Sequence, residues 1–307
     1  MSARRIVCVG EGMVELRTEA DGGCHLGYGG DTLNTAIHLA RLGCDVTYAT
    51  ALGIDTFSRR LLGEWAREGL DCSAILLDPA RRVGLYAITL DEAGERSFTY
   101  WRSDSAARRM FSLSGSAVIG DVVRSSPAVA FSLISLAILP NDGRDALISL
   151  AGAVRNSGGM VAFDGNYRPA LWEDAAAAGY WRDRAIAAST IGLPTLDDEI
   201  ALSGQATADQ VAERWSTLGC GETVVKLGPL GCRLPDGERV APSNLLLPVD
   251  TSGAGDAFDA GYLAARLAGE EVQEAARKAN ALAGWVITHK GAIPERTQDA
   301  PYFQFAG

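Results

Sequence analysis

The chain has 307 residues, of which 47% are hydrophobic and 21% are charged, a composition typical of a soluble globular protein with a large core. Its formal net charge of −10 argues against a nucleic-acid-binding surface, although a small anionic substrate needs only local positive charge. The 6 cysteines form no Cys-x-x-Cys pair and share no ligand spacing with the 3 histidines. We therefore expect reduced thiols in a cytoplasmic protein and no zinc site.

Neither of two apolar runs has the length of a targeting or membrane segment. The first, at 6–9, is interrupted by Gly10 and Glu11, and this is too short for a signal peptide. The longest, at 128–139, contains Ser132 and Ser135 and is too short to span a bilayer. We predict that it is a buried strand that runs into a loop.

Short β-type runs alternate with helical patterns along most of the chain. The predicted strands lie at 6–9, 46–52, 128–134, 160–163, 190–193 and 223–227. The predicted helices lie at 33–42, 142–156, 174–188, 207–218, 256–267 and 271–288. This alternation predicts an α/β protein whose parallel strands are joined by crossover helices, with helices on both faces of the sheet.

Two β-rich regions interrupt the alternation. Residues 83–90 and 96–102 flank a turn-forming segment at 91–95 and are predicted to form a hairpin, and residues 11–28 are extended and contain several glycines. Such an excursion cannot bury both of its faces, so it should cover a ligand, pair with another subunit, or both. We predict one domain over 1–307, with lid segments at about 11–31 and 83–104.

The most informative segment is the glycine-rich stretch at 250–262, which leads into a predicted helix. The backbone N–H groups of Gly253, Ala254 and Gly255 can converge on an anion, and the helix N-terminus adds the positive end of its dipole. Asp256 follows at once, as phosphoryl transfer requires: a base for an attacking hydroxyl beside donors for the phosphate charge. An ordinary capped turn between a loop and a helix is the structural alternative.

Two motifs resemble those of a known family. Residues 250–263 match the C-terminal motif of the ribokinase-like (PfkB) sugar kinases, and residues 29–36 resemble their N-terminal motif except at Thr32, where the family has a smaller residue. Further blocks are similar to the 2-keto-3-deoxygluconate kinase subgroup: 29–35, 84–86, 100–102, 135–139, 166–169 and 195–199. The resemblance implies a ribokinase-like three-layer α/β/α core with a mostly parallel sheet and a small β-sheet lid.

The resemblance also implies roles for individual side chains. Asp256 would take the proton from the substrate hydroxyl, with residues 253–255 as the anion hole. The sugar hydroxyls would be held by Gly30, Asp31 and Asn34. The acid end of the sugar would be lined by Tyr86, Tyr100, Arg102 and Arg168, since a guanidinium fork matches a carboxylate.

By residue type alone, three of these side chains also have ordinary structural explanations. Asn34 could simply open a helix, Arg102 could be an exposed hairpin residue, and Arg168 could form a surface salt bridge.

The nucleotide side rests on fewer residues. Lys226, Gly228 and Gly231 resemble the family's ATP-binding turn, although Lys226 could be a solvated charge at a strand end. Asn280 corresponds to a residue near adenine, and a solvent-facing helical asparagine is the alternative. The resemblance implies ATP and Mg²⁺, with the metal ion carried mainly by the phosphates.

Two further candidate sites would bind ions. Glu199 resembles the family's magnesium-linked glutamate, although the usual asparagine three residues earlier is Leu196 here. A monovalent cation near Asp250 and Thr251 is an option that no specific signal supports.

Two positions depart from the expected pattern. Asp259 lies one helical turn after Asp256, where a neutral residue is expected. We predict that it points away and bonds within its helix, and a raised pKa of the base is the alternative. Leu133 stands where the subgroup has glycine, and its effect on the sugar pocket is open.

The sequence therefore predicts ATP-dependent phosphorylation of a sugar acid, 2-keto-3-deoxygluconate, to its 6-phosphate by in-line transfer. A kinase of a neutral sugar, of the fructokinase or ribokinase type, is the alternative. A non-catalytic sugar or nucleotide sensor on the same fold is less favoured, because a sensor has no need of Asp256. We expect a homo-oligomer, either a dimer formed through the lid or a higher assembly, with no nucleic-acid or membrane partner.

Overall fold

The computed structural model describes residues 4–18, 23–90, 96–204, 207–244 and 246–303. Its strands, in chain order, are β1 (Arg5–Val9), β2 (Met13–Thr18), β3 (Cys24–Gly29), β4 (Asp45–Gly53), β5 (Ile75–Asp78), β6 (Gly84–Leu90), β7 (Arg96–Trp101), β8 (Ala128–Ser132), β9 (Met160–Asp164), β10 (Ile191–Gly192), β11 (Glu222–Thr223), β12 (Val225–Lys226), β13 (Cys232–Arg233) and β14 (Arg239–Val240). Its helices are α1 (Asp31–Arg41), α2 (Thr56–Arg67), α3 (Ala117–Ser125), α4 (Leu133–Ile138), α5 (Asn141–Asn156), α6 (Ala175–Ala188), α7 (Leu196–Ser203), α8 (Ala208–Thr217), α9 (Ala254–Leu267) and α10 (Val272–Ile287).

The main sheet in the described residues has 7 strands in the order β11-β10-β9-β8-β1-β4-β5. Every pairing between neighbouring strands is parallel, which confirms the prediction from the alternating pattern. The carboxyl ends of β1, β8 and β9 therefore meet at one edge of the sheet. Ligands bind outside this edge in open α/β folds.

Helices cover both faces of this sheet, and strand alternation explains why. Ile6 and Cys8 of β1 belong to one core cluster, whereas Val7 and Val9 belong to another. The first cluster includes side chains of α1, α9 and α10, and the second includes side chains of α5, α6 and α8. The result is the predicted three-layer α/β/α core.

A separate sheet of 4 strands, in the order β3-β2-β6-β7, corresponds to the predicted lid. Strands β6 and β7 form an antiparallel pair in which Tyr86 lies opposite Tyr100, as the hairpin prediction required. The predicted turn at 91–95 lies outside the described residues. Strand β7 forms the edge of this sheet and exposes Phe98 and Trp101.

The prediction for residues 128–139 was wrong in its second half. Strand β8 ends at Ser132, and the following residues form helix α4 rather than a loop. The hydroxyl of Ser132 accepts the backbone N–H of Ser135, whose hydroxyl in turn accepts the backbone N–H of Ser132. This capping box starts a helix inside a run of apolar residues.

The predictions from sequence also missed several elements and treated two separate strands as one. Residues 223–227 are divided between β11 of the main sheet and β12 of a small antiparallel sheet, β12-β13-β14. The missed elements are β5, β13, β14, α2, α3 and α7. Within the part of the chain that the structure describes, every helix is too short or too polar to cross a membrane.

Candidate active site

The glycine-rich turn places Asp256 at the start of α9. Gly253 precedes this helix with φ 71°, in the left-handed region that favours glycine. A Cβ atom there would lie 2.5 Å from the Cβ of Ala292, so the position has no room for a larger residue. Asp256 consequently lies in the first turn of α9, and only 9% of it is exposed.

Asp256 is held by helix α1. The Nδ2 of Asn34 donates to Oδ2 of Asp256 at 2.7 Å, and the hydroxyl of Thr35 donates to its backbone oxygen at 3.3 Å. Burial raises the pKa of Asp256 to about 8, and the nearby carboxylate of Asp31 contributes to the increase. The hydrogen bond from Asn34 acts in the opposite direction. A carboxyl group with this pKa is suited to proton transfer near neutral pH.

Asp31 opens helix α1 at the edge of the main sheet. Its Oδ2 accepts a hydrogen bond from the hydroxyl of Ser132 at 2.5 Å and another from Nδ2 of Asn166 at 3.3 Å. Burial raises the pKa of Asp31 as well. Gly30, just before it, has φ 148°, and a Cβ atom there would lie 2.2 Å from the carbonyl oxygen of Glu11. Three chain segments thus converge beside Asp256.

Lys226 and Asp259 form a buried ion pair next to the turn. The Nζ of Lys226 donates to Oδ1 of Asp259 at 2.9 Å and to Oδ1 of Asp164 at 2.9 Å. Burial alone would lower the pKa of Lys226, but the two carboxylates raise it above its ordinary value. The alternative of a solvated Lys226 was wrong, and so was the prediction that Asp259 bonds within its helix.

The lid contributes a second buried ion pair. The guanidinium of Arg102 donates from Nε to Oε2 of Glu11 at 2.7 Å, and Glu11 is only 1% exposed. The alternative of an exposed hairpin arginine was therefore wrong. Tyr86 donates to Oε2 of Glu15 at 2.5 Å, and its ring lies 5.9 Å from that of Tyr100.

Arg168 is in a different environment from Arg102. Its side chain is half exposed and donates to Oδ1 of Asp198 at 3.3 Å and to the carbonyl oxygen of Tyr167 at 2.7 Å. The salt bridge considered as an alternative is thus present. Arg168 follows Asn166 by two residues, and Asn166 contacts Asp31, so the loop itself belongs to the site.

Three other residues were predicted to bind nucleotide together with Lys226. Gly228 and Gly231 border a single 3-10 turn, Gly228–Leu230. Asn280 is buried on α10 and donates to the carbonyl oxygen of Val240 at 2.9 Å, so the alternative of a solvent-facing asparagine was wrong.

Comparison with known proteins identifies the family. The model for "pfkB family carbohydrate kinase" matches residues 3–299. The chain belongs to the pfkB family of carbohydrate kinases. It is 39% identical to a protein named 2-dehydro-3-deoxygluconokinase from Escherichia coli K12, over 96% of this chain and 98% of the relative. It is 38% identical to the protein of the same name from Dickeya dadantii, over 95% and 97% of the two chains.

A solved structure agrees with this assignment. The aminoimidazole riboside kinase from Salmonella enterica, complexed with aminoimidazole riboside and an ATP analog, superposes with a TM-score of 0.82. It is 26% identical, and the match covers 98% of this chain and 99% of that chain. The ribokinase-like fold predicted from the motifs is therefore confirmed.

The position of Glu199 in this pfkB kinase does not favour the expected link to magnesium. Its carboxylate is buried and accepts hydrogen bonds from Arg182 at 2.7 Å and from Nε1 of Trp215 at 3.1 Å. Among the residues described, no group of three or more His, Cys, Asp or Glu side chains could hold a metal ion. Leu133 is likewise fully buried, in a core cluster at the start of α4.

The sequence reading missed several polar residues of this kinase site. Glu11, Ser132 and Asp164 each lie at or just beyond the carboxyl end of a parallel strand. That position is itself a signal, because ligand-binding residues gather at this edge of open α/β sheets. Glu15 lies within lid strand β2 and had no comparable signal.

Proposed function

We propose that the chain is an ATP-dependent kinase that converts 2-keto-3-deoxygluconate (2-dehydro-3-deoxygluconate) to its 6-phosphate. The observation that carries the proposal is a buried carboxyl group, Asp256, with a pKa of about 8 directly after a turn that can bind an anion. The relatives named 2-dehydro-3-deoxygluconokinase support this choice of substrate.

In the proposed reaction, the 6-hydroxyl oxygen of the sugar attacks the γ-phosphorus of ATP. A new O–P bond forms, the bond to the ADP oxygen breaks, and the hydroxyl proton passes to Asp256. The N–H groups of Gly253, Ala254 and Gly255 stabilise the charge on the transferring phosphoryl group. The transition state is loose, so positioning contributes more than the strength of the base.

The sugar would be positioned by Gly30, Asp31 and Asn34. Oδ1 of Asn34 is buried and, among the described residues, has no hydrogen-bond partner. A buried acceptor without a partner is costly unless a ligand satisfies it. A sugar hydroxyl beside Asp256 would supply the missing donor.

The carboxylate of the sugar acid would be bound at the lid. Within the described ranges, Arg102 uses Nε and Nη2 to bind Glu11, which leaves the Nη1 edge of its planar fork for a substrate. Tyr86 and Tyr100 would form the wall beside it. We include Arg168 at the same end, where a substrate carboxylate would take the place of Asp198.

On the nucleotide side, Gly228, Gly231 and Asn280 would lie along ATP, and Lys226 would act on the phosphates through its charge from beneath the turn rather than by direct contact. The described carboxylates offer no site built for Mg²⁺, so the ion would be carried by the phosphates. The ion would take no other part in the proposed reaction.

We also propose a monovalent cation near Asp250 and Thr251. The carboxylate of Asp250 already accepts the N–H groups of Ser252 and Gly291.

We also propose a homodimer formed through the lid, since edge strand β7 exposes the aromatic side chains of Phe98, Tyr100 and Trp101.

A cytoplasmic location is part of the proposal, and it is supported by six cysteines that are all free thiols.

A coupled assay of ADP release tests the activity. The panel contains 2-keto-3-deoxygluconate, other sugar acids, fructose and ribose, with a reaction lacking sugar as the control. The proposal predicts that ADP release depends on the sugar acid and is far slower with fructose and ribose. Faster turnover of fructose or ribose would instead identify a neutral-sugar kinase. Binding without turnover of any sugar would identify a sensor.

A further inference from the structure

A buried cluster of charges lies directly beneath the proposed anion-binding turn. Lys226 ends strand β12, Asp164 ends strand β9, and Asp259 lies on α9 one turn after Asp256. The two carboxylates bind the same ammonium group, and less than a tenth of Lys226 is exposed. The cluster thus joins the sheet to the helix that carries the proposed base.

The geometry limits what the lysine can do. Its Nζ contacts Oδ1 of Asp259 at 2.9 Å and Oδ2 at 3.1 Å, in addition to Asp164. An ammonium group has three N–H donors, so these contacts occupy it fully. A Cβ atom built on Gly255 would lie 3.7 Å from this nitrogen. The charge is therefore fixed under the turn and is not free to extend toward a nucleotide.

We infer that Asp259 is a positioning residue, which together with Asp164 holds the Lys226 ammonium under residues 253–255 to compensate the negative charge that gathers there. The inference rests on the proposed function, because the anions in question are Asp256 and the transferring phosphoryl group.

The charge balance around Asp256 explains why such a counter-charge is needed. Asp31 faces it from α1, Asp164 from β9 and Asp259 from its own helix, with Lys226 from β12 as the cation. Asn34 contributes only a neutral hydrogen bond. Four neighbouring carboxyl groups, of which Asp256 and Asp259 are buried, thus have one ammonium group among them. Burial raises the pKa of Asp259, and the contact of Lys226 with both of its oxygens opposes this by favouring the ionised carboxylate.

Two substitutions should move the titration of Asp256 in opposite directions. Lys226→Met removes the cation and should raise the pH at which Asp256 titrates by about one unit or more. Asp259→Asn removes an anion while keeping the shape of the side chain, and should lower that pH by about half a unit or more. An ion pair that only joined the helix to the sheet would reduce stability in both variants and shift neither titration.

Lys226→Met alone leaves two buried carboxylates without a partner and can fail to fold. The double variant Lys226→Met/Asp259→Asn removes one charge of each sign and gives a second comparison. Relative to Asp259→Asn, it should titrate at higher pH, because only the cation differs between the two.

The measurement is a pH titration of the ¹³Cγ signal of Asp256, assigned by its loss in Asp256→Asn, in the full-length protein. It is paired with the pH dependence of kcat/KM. Opposite shifts support the inference. Shifts in the same direction, or shifts below about 0.2 unit in Asp259→Asn and in the double variant, overturn it. Because the carbon signal requires no turnover, an inactive wild-type protein would refute the proposed function without affecting this result.

Discussion

Replacing Asp256 by asparagine should stabilise the folded protein, and the gain should increase with pH. In the unfolded chain an aspartate ionises near its ordinary pKa of 3.8, whereas the buried Asp256 keeps its proton to about pH 8. The unfolded state therefore loses this proton first. The stability of the wild type falls as pH rises through this interval and levels off above it.

The size of the effect follows from the two pKa values. Each unit of difference corresponds to about 1.4 kcal/mol, so the full cost of ionising Asp256 in the folded state is about 6 kcal/mol. Between about pH 5 and pH 9, the stability advantage of Asp256→Asn should grow by about 4 kcal/mol. The new amide oxygen can still accept the hydrogen bond from Asn34, so the substitution preserves this contact.

Urea denaturation at about pH 5, 7 and 9 measures this difference directly. Asp121→Asn is the matched control, because it makes the same chemical change at an exposed carboxylate on α3. An advantage of Asp256→Asn that does not change with pH would refute the reasoning. Greater stability of the wild type at pH 9 would refute it as well.

Three further predictions concern the lid, the turn and the pH profile. Arg102→Gln should lower kcat/KM for the sugar acid by about 10²-fold or more while barely changing the use of fructose. Arg102→Gln leaves Glu11 buried without its ion-pair partner. The double variant Glu11→Gln/Arg102→Gln should therefore recover stability but not activity toward the sugar acid. Recovered activity toward the sugar acid would contradict the role of Arg102 in binding the substrate carboxylate. Gly253→Ala should lower the free energy of unfolding by about 2 kcal/mol or more, because of the left-handed backbone and the contact with Ala292. Its control is Gly152→Ala in α5, where an added Cβ atom has no neighbour within 4 Å and should raise the free energy of unfolding by about 0.5–1 kcal/mol. Equal effects of the two substitutions in urea denaturation would count against this explanation. For the wild type, kcat/KM should rise with pH, reach half of its maximum near pH 8 and level off above about pH 9, since the base must be ionised. A flat profile from pH 6 to 9 would argue against Asp256 as that base.

The fold was predictable because its signals are local and repeated. The alternation of strands and helices indicated the parallel sheet, and the two β-rich segments indicated the lid. Helix α4 was missed because Leu133–Ile138 is apolar apart from Ser135 and resembles a buried strand until the capping role of Ser132 is seen. Strands of only two residues, such as β13 and β14, are too short to show any periodicity.

The site was predictable only where a contiguous motif carried it. The turn at 253–255 and Asp256 are adjacent in sequence, so their relation was visible. Lys226 and Asp259 are 33 residues apart, and Glu11 and Arg102 are 91 apart. No local pattern pairs such residues, and only the packing of the folded chain shows that each charge has a buried partner.

The most direct test of the central claim is single-turnover phosphorylation of 2-keto-3-deoxygluconate by wild type and Asp256→Asn, with sugar binding measured separately by calorimetry. If Asp256 accepts the hydroxyl proton, the phosphoryl-transfer rate should fall by about 10²-fold or more in the variant while the sugar still binds. Transfer at the wild-type rate in Asp256→Asn would contradict the assignment of the base.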